Sequence, residues 1–270
     1  MQTPLFSIIT VTFNPGKALL ETIDSIRNQK FNNYEHIIKD ACSNDFSVMR
    51  YAQSTNDYYP IVICKCDKGI YDAMNQALDY AKGEYILYLN AGDCFQDENV
   101  LEKISNKVLQ KKDFGLIYGD YYSKPLSVFV KSPKRFIRFY LYHNTLCHQS
   151  CFISRKLIEK VGRFDISLKV LADYDLLLRL VIANDYSYHY EELTVSSCMG
   201  GGFSSQPKNV HIALKEAVAL RKRYFKKKER YLYFLLRAMT FPSLRIKLMR
   251  STRFIILKRA YIKAVNILNS

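Results

Sequence analysis

Hydrophobic positions in the first 120 residues fall into two alternating rhythms. Strand-like segments occupy Ser7–Phe13 (SIITVTF), Tyr34–Lys39, Ile61–Cys66, Tyr85–Leu89 and Gly115–Tyr118, the first of them short, apolar and β-branched as a buried parallel strand should be. Between them the period lengthens. Leu19, Leu20, Ile23 and Ile26 recur at helical spacing behind Asn14 and Pro15, which read as an N-cap and a first helical residue. Further helices are predicted over Tyr71–Lys82 and Glu98–Gln110. Strands alternating with helices imply a parallel, doubly wound α/β sheet. Ligands of such sheets bind beyond the carboxyl ends of the strands. The polar residues ending these strands are therefore the first functional candidates: Thr12, Asn14, Asp40, Asp67, Asn90, Asp93 and Asp120.

The middle third is more mixed. Ser127–Lys131, Gln149–Ser154, Ser187–Glu191 and Thr194–Met199 read as strands, and Arg155–Val161 and Asp173–Ala183 as helices. Gly200–Gly202 reads as a loop. From Asn209 the pattern is helical nearly to the end, with Pro242 as a break. The expected division is a domain over residues 1–208 and a helical extension over 209–270.

Charge sharpens that boundary. The chain of 270 residues carries a net charge of +15, and residues 211–270 hold 16 Lys and Arg against 2 Asp and Glu. A nearly neutral body thus carries a strongly basic extension. In it Leu244, Leu248, Ile255 and Ile262 recur near helical spacing, with Lys247, Arg250, Lys258 and Arg259 between them. A basic amphipathic helix of this kind suits an anionic membrane surface. A solvated face on helices packed against the core is the alternative. Nucleic acid is not the expected partner, because the front two-thirds carries a different chemistry.

Composition excludes other classes. No stretch approaches 18 uninterrupted apolar residues, so no transmembrane helix is expected. The N-terminal MQTPLFSIITVTFN lacks a positive segment and a cleavage site, so a cytoplasmic location is expected, peripheral on the inner face of the membrane. The seven cysteines include no CxxC pair and read as reduced, buried thiols. Cys147, His148 and Cys151 could begin a metal site, but no second cluster completes it.

The sharpest single feature is LNAGD, which sets Asp93 in a tight glycine turn after an apolar strand. A carboxylate there suits a hard divalent cation that bridges phosphates. Taken in order, SIITVTFN, DACSND, DKGIYDAMNQAL, YILYLNAGD, YGD and HQSCFISRKLIEKVGRFD followed by ADYDLLLR resemble a family 2 glycosyltransferase. The resemblance spans about residues 5–205. It implies the GT-A fold, a Rossmann-like, doubly wound mixed sheet.

Further implications attach to particular residues. Thr12 and Asn14 would wall the nucleotide pocket, and Asp40 would accept an N–H from the base, favouring UDP. Asp67 and Lys68 would lie near the ribose, the diphosphate or the donor sugar. Asp93 would hold Mg²⁺ or Mn²⁺ against the diphosphate, with Asn90 standing where some relatives carry an acid. Asp120 would contact the donor sugar or cap a turn. Asp173 resembles the catalytic base, although Ala172 precedes it where relatives often have Glu. Asp175, two residues on, is the alternative base or a structural cap or pair; such neighbours do not share a helix face, so only one of the two should reach the site. DACSND places Ala41 where the family often has glycine, so the turn after the second strand is expected to be reshaped. His148 and Gln149 are candidates for the acceptor or donor-sugar pocket, and Gly201 and Ser204 for a lid.

Inverting transfer needs a base opposite the leaving nucleotide and a counter-charge for the diphosphate, which Asp173 and Asp93 would supply. The expected reaction moves a sugar from a UDP-sugar to a hydroxyl of a lipid-linked saccharide in bacterial surface polysaccharide assembly. A sugar-phosphate nucleotidyltransferase would need a glycine-rich basic loop that SIITVTFNPGK lacks. A non-catalytic, membrane-associated scaffold retaining the fold is the remaining rival.

Overall fold

Strand β1 (Phe6–Thr12) is buried at every position, as its apolar run requires. In this computed structural model, which describes residues 3–53, 59–110, 114–135, 138–184, 186–200 and 207–239, it lies at the heart of a single nine-stranded sheet. β2 (Tyr34–Asp40) and β4 (Tyr85–Tyr88) flank it in parallel, and β3 (Ile61–Cys64) lies parallel beyond β2. Successive side chains of β1 serve opposite faces. Ile9 joins a core with Met74, Ala77 and Leu176, whereas Ile8 joins one with Leu87, Ile104 and Phe152. Helix α1 (Ala18–Arg27) follows β1, α2 (Ser47–Gln53) follows β2 and α3 (Ile70–Leu78) follows β3.

The parallel order stops at β4. The next neighbour is β8 (Cys151–Ser154), which runs antiparallel to both β4 and β6 (Leu116–Ser123). β6 therefore keeps the direction of β4 without touching it. A short apolar run carries no direction, so the pattern alone could not show this insertion. The strands predicted over Ser187–Glu191 and Thr194–Met199 are one, β9 (Tyr188–Cys198), parallel to β6 with register shifts around Asp120. Gly119 makes that close approach possible, since a Cβ there would collide with the Leu193 carbonyl. β5 (Cys94–Phe95) pairs with β9, and β7 (Val128–Val130) with β6. The sheet is mixed and doubly wound, the GT-A arrangement.

Other expectations shift locally. α1 begins at Ala18, not at Pro15. Asn14 adopts a left-handed backbone, φ 47°, and its Oδ1 accepts the Asn44 N–H at 2.9 Å, so it braces a loop instead of capping a helix. α4 (Val100–Gln110) and α6 (Arg155–Val161) lie close to their predicted places. α5 (Arg138–His143), like α2, is shorter than any pattern would reveal. His148–Ser150 is a 3₁₀ turn leading into β8. α7 (Ala172–Leu178) continues as a π-helical turn, Arg179–Ala183.

The cysteines divide. Cys151 and Cys198 are buried, but Cys64 and Cys66 are exposed at the end of the edge strand β3, and Cys42 in the turn after β2. Burial of all seven is thus corrected.

Of the basic extension, α8 (Pro207–Tyr224) and α9 (Lys227–Met239) are described. Leu220 and Phe225 sink into the same core as Ile9, and the Arg138 guanidinium pairs with Glu229 at 2.7 Å. The opposite side of α8 exposes Val210, Leu214 and Val218 at four-residue intervals. Pro242 and the amphipathic pattern over Leu244–Ile262 lie outside the described residues. No described helix is long and apolar enough to cross a membrane.

Candidate active site

The carboxyl ends of β1 and β2 lie side by side, with Thr12 opposite Asp40. Two loops leave this edge and are laced together. The Asn14 N–H donates to Ser43 Oγ at 2.7 Å, and the Gly16 N–H to Asp45 Oδ2 at 3.0 Å. Asp40 is buried and accepts both the Ser43 N–H, at 2.8 Å, and the Ser43 hydroxyl. Ser43 therefore holds the turn after β2 where Ala41 replaces glycine. An ionised carboxylate has about four acceptor sites, so Asp40 retains capacity for a ligand N–H. Thr12 Oγ1 is buried without a hydrogen-bond partner at the same edge.

Beneath these loops sits a residue that the strand pattern hid. Lys39 is fully buried in β2, and its ammonium donates to Asp67 Oδ2 at 2.8 Å, the Lys65 carbonyl at 2.6 Å and the Asp40 carbonyl at 3.2 Å. All three donors are used, which makes burial of the charge tolerable. Asp67 is thus engaged by Lys39 and by the Gly69 N–H at 3.0 Å. Lys68 is exposed, and its backbone N–H donates to Asp72. A lysine inside YEHIIKD was the available signal: within a buried strand it demands an acid nearby.

The second half of the site gathers around the turn after β4. Gly92, with φ 95°, closes that turn and buries Asp93. Gln149 Nε2 donates to Asp93 Oδ2 and the Met199 N–H to Asp93 Oδ1, each at 2.9 Å. Burial pushes the Asp93 carboxyl above the usual carboxylate range, and these bonds pull it partly back. The turn is thereby tied to the 3₁₀ turn and to the end of β9.

His148 bridges from this turn to α7. Its Nδ1 lies 3.3 Å from Asp173 Oδ2, and its Nε2 lies 3.4 Å from Asn90 Nδ2. The bonds are mutually consistent if Nδ1–H donates to the carboxylate and Nε2 accepts from the amide. Asn90 Oδ1 then faces away and is buried without a partner. Asp173, near the start of α7, also lies 3.3 Å from the Tyr71 hydroxyl, whose single proton it shares with the Val170 carbonyl at 2.5 Å. Burial, and secondly the charge of Asp173, push the Tyr71 hydroxyl pKa well up, so Tyr71 remains a donor. Tyr71 was not among the expected residues, because YDAMNQAL shows only a helix face.

A hard divalent cation asks for oxygen ligands beside the phosphates it bridges. Asp93 Oδ2, bonded to a neutral amide, and the unpartnered Asn90 Oδ1 supply two in one turn. They fit a cation held largely by a diphosphate. Among the described residues, no group of three or more His, Cys, Asp or Glu side chains gathers to hold one without it. The Cys147–His148–Cys151 combination does not converge: the Cys147 thiol contacts Gln149 and Cys198, the Cys151 thiol donates to the Cys147 carbonyl, and His148 faces Asp173.

Two other acids are used elsewhere. Asp120 accepts the Ser132 N–H at 2.8 Å and the Tyr190 hydroxyl at 3.0 Å, fastening the β6–β7–β9 junction. Asp175 is buried against Arg179, at 2.9 Å, and the Tyr224 hydroxyl, at 2.8 Å. Gly201 and Ser204 lie outside the described residues. A groove of about 610 Å³ is lined by Lys134, Arg135 and Tyr188–Glu192 at the amino-terminal end of β9, away from Met199.

Comparison with known proteins adds to this geometry. The family model described as "Glycosyl transferase family 2" matches residues 7–162, more than half of the chain. A PGL/p-HBAD biosynthesis glycosyltransferase of Mycobacterium bovis is 29% identical over 185 residues, covering 66% of this chain and 70% of that protein. An uncharacterized glycosyltransferase of Mycobacterium tuberculosis is 26% identical over 225 residues, covering 82% and 86%. Among solved structures, S. aureus TarS 1–349 in complex with UDP-GlcNAc superposes with a TM-score of 0.69 at 16% identity, covering 92% of this chain and 76% of that fragment. The mannosyltransferase PcManGT from Pyrobaculum calidifontis, in complex with GDP-Man and Mn²⁺, gives 0.59 at 16% identity, covering 100% and 88%.

Proposed function

The chain belongs to glycosyl transferase family 2, and we propose that it moves a sugar from UDP to a hydroxyl of a lipid-linked saccharide, with inversion at the anomeric carbon. The observation that carries this reading is the Asp173–His148–Asn90 chain, in which one imidazole links the Asp173 carboxylate of α7 to the turn after β4 that holds a buried, unpartnered amide oxygen. TarS with UDP-GlcNAc supports a UDP-sugar donor. The mycobacterial relative, named for PGL/p-HBAD biosynthesis, supports a lipid-borne acceptor in bacterial surface assembly.

In this reading the nucleotide lies over Thr12 and Asn14, and Asp40 accepts the uracil N–H. Asn90 Oδ1 accepts a hydroxyl of the donor or serves as an oxygen ligand. The acceptor hydroxyl attacks the anomeric carbon from the face opposite the diphosphate. Its proton passes to Asp173, the bond from carbon to diphosphate oxygen breaks, and UDP leaves. His148 and Tyr71 hold the Asp173 carboxylate for that step. A Mg²⁺ or Mn²⁺ ion beside Asp93 and Asn90 would neutralise the charge that develops on the diphosphate. The Mn²⁺ in the PcManGT complex supports such an ion.

Basic residues and exposed apolar ones together support a peripheral position on an anionic inner membrane face. Val210, Leu214 and Val218 form an outward stripe on α8, and Lys226, Lys227 and Lys228 are exposed beyond it. A division at residue 209 follows this charge pattern, with α8 and α9 docked on the catalytic body.

Turnover of a panel of UDP- and GDP-sugars, with extracted bacterial lipids as acceptors, tests the reading. UDP release should fall about 10²–10⁴-fold in Asp173→Asn, the usual worth of a general base. A folded protein that releases no nucleotide from any donor, or an Asp173→Asn variant at the wild-type rate, would contradict it.

A further inference from the structure

Glu216, on the extension helix α8, meets the backbone immediately ahead of α7. One carboxylate oxygen accepts the Lys169 N–H at 2.6 Å, and the other accepts the Val170 and Leu171 N–H groups at 3.0 and 2.9 Å. Three consecutive amides thus converge on a single side chain from a distant helix. Asp173 follows two residues later.

The same segment is gripped from its other side. The Val170 carbonyl accepts the Tyr71 hydroxyl at 2.5 Å, and that hydroxyl also reaches Asp173 Oδ1. Val170 is therefore fixed at its N–H by α8 and at its carbonyl by α3. Glu216, Leu220 and Tyr224 recur every four residues, so they share one face of α8. Leu220 enters the core, and Tyr224 bonds Asp175. One helix face thus holds α7 on both sides of Asp173, before it at residues 169–171 and after it at Asp175.

We propose that Glu216 is a positioning residue for Asp173: through the amides of Lys169–Leu171 it fixes where the carboxylate stands. This rests on the reading of Asp173 as the base. Hydrogen bonds to an ionised acceptor are roughly twice as strong as neutral ones. Glu216 is half-buried, so water can replace it at the amides when it is removed. The segment then loosens, and small displacements of a catalytic group are costly in rate. The donor pocket at the ends of β1 and β2 makes no contact with Glu216 in these bonds, so nucleotide affinity is left alone.

The test is a double-mutant cycle on the full chain, read as UDP release from UDP-GlcNAc, UDP-glucose and UDP-galactose at saturating donor, with UDP affinity and thermal melting measured alongside. Glu216→Ala should lower the rate about tenfold and change UDP affinity by less than about twofold. Glu216→Gln keeps one neutral oxygen acceptor for the Val170 and Leu171 amides and loses the Lys169 bond, so it should recover part of the rate; it also serves if the alanine variant does not fold. In an Asp173→Asn background Glu216→Ala should cost less than about twofold, because the group it positions is gone. Glu229→Gln, which breaks the Arg138 pair elsewhere on the extension, should leave the rate unchanged.

Several results would overturn the proposal. They are a full rate loss from Glu216→Ala on top of Asp173→Asn, an equal loss of UDP affinity, an equal loss in Glu229→Gln, and a Glu216→Ala enzyme at the wild-type rate. An Asp173→Asn enzyme at full rate would instead remove the base, and with it both readings.

Discussion

The proposed donor side and the proposed catalytic side of this molecule are assembled on opposite plans. Thr12, Asp40 and the buried Lys39–Asp67 pair come from consecutive strand–helix units, and the two ion-pair partners are 28 residues apart. The catalytic side is collected from afar. Tyr71 reaches Asp173 across 102 residues, Asp93 is held by Met199 across 106, and Glu216 clamps a segment 45 to 47 residues behind it. The first plan gives a rim built by bonds between neighbouring units. The second makes the position of the Asp173 carboxylate depend on α3, the 3₁₀ turn and α8 together. Nucleotide binding and turnover should therefore be separable by mutation.

The largest expected effect breaks the donor side at its foundation. Lys39→Ala strands the Asp67 carboxylate and two carbonyls, and loss of one partner of a buried pair costs about 3–5 kcal/mol. Chemical denaturation would measure it. A loss under about 1 kcal/mol would mean that water reaches the pair and the rim is not locally self-contained.

Leu220→Ala is the matching lesion on the catalytic side. Leu220 is 1% exposed in a core shared with Leu176 and Tyr174 of α7. Truncation should cost about 2–5 kcal/mol and should reduce turnover more than UDP affinity. Equal damage to both would erase the distinction between the two sides.

A smaller effect depends on pH and belongs to the donor side alone. His36 is buried in β2 with its Nε2 2.8 Å from Thr10 Oγ1, and burial lowers its pKa from 6.5 to about 3. Below pH 6.5 the unfolded chain takes up a proton that the folded protein refuses until about pH 3. Stability therefore falls with acidification across that window, by about 2 kcal/mol at pH 5 from this group. His36→Gln should flatten the dependence of stability on pH between these limits. An unchanged slope would show that His36 is protonated in the folded state.

Legibility in the sequence follows the same division. SIITVTF and YILYL appear as β1 and β4 because a doubly buried strand is predominantly apolar, and the apolar pair in YEHIIK marks β2. LNAGD revealed its turn because Gly92 is needed where φ is 95°. What stayed hidden was pairing over distance. Nothing in CFIS says that β8 runs against β4, nor in KEAVAL that Glu216 faces the backbone before Asp173. Asn14 before Pro15 has the composition of a helix start, yet the loop from Asp40 to Asp45 captures it first. Asp120 shows the same limit: a polar residue after an apolar run is equally compatible with a ligand pocket and with a bulge, and here the Tyr190 hydroxyl occupies it.

Calorimetric titration of UDP and GDP with Mn²⁺ present, into the wild type and Asp40→Ala, tests the central claim most directly. UDP should bind in preference to GDP, and Asp40→Ala should weaken it about tenfold, the worth of one buried hydrogen bond to a charged acceptor. Folded protein that binds neither nucleotide, or an Asp40→Ala variant that binds UDP as the wild type does, would contradict a donor pocket at the ends of β1 and β2.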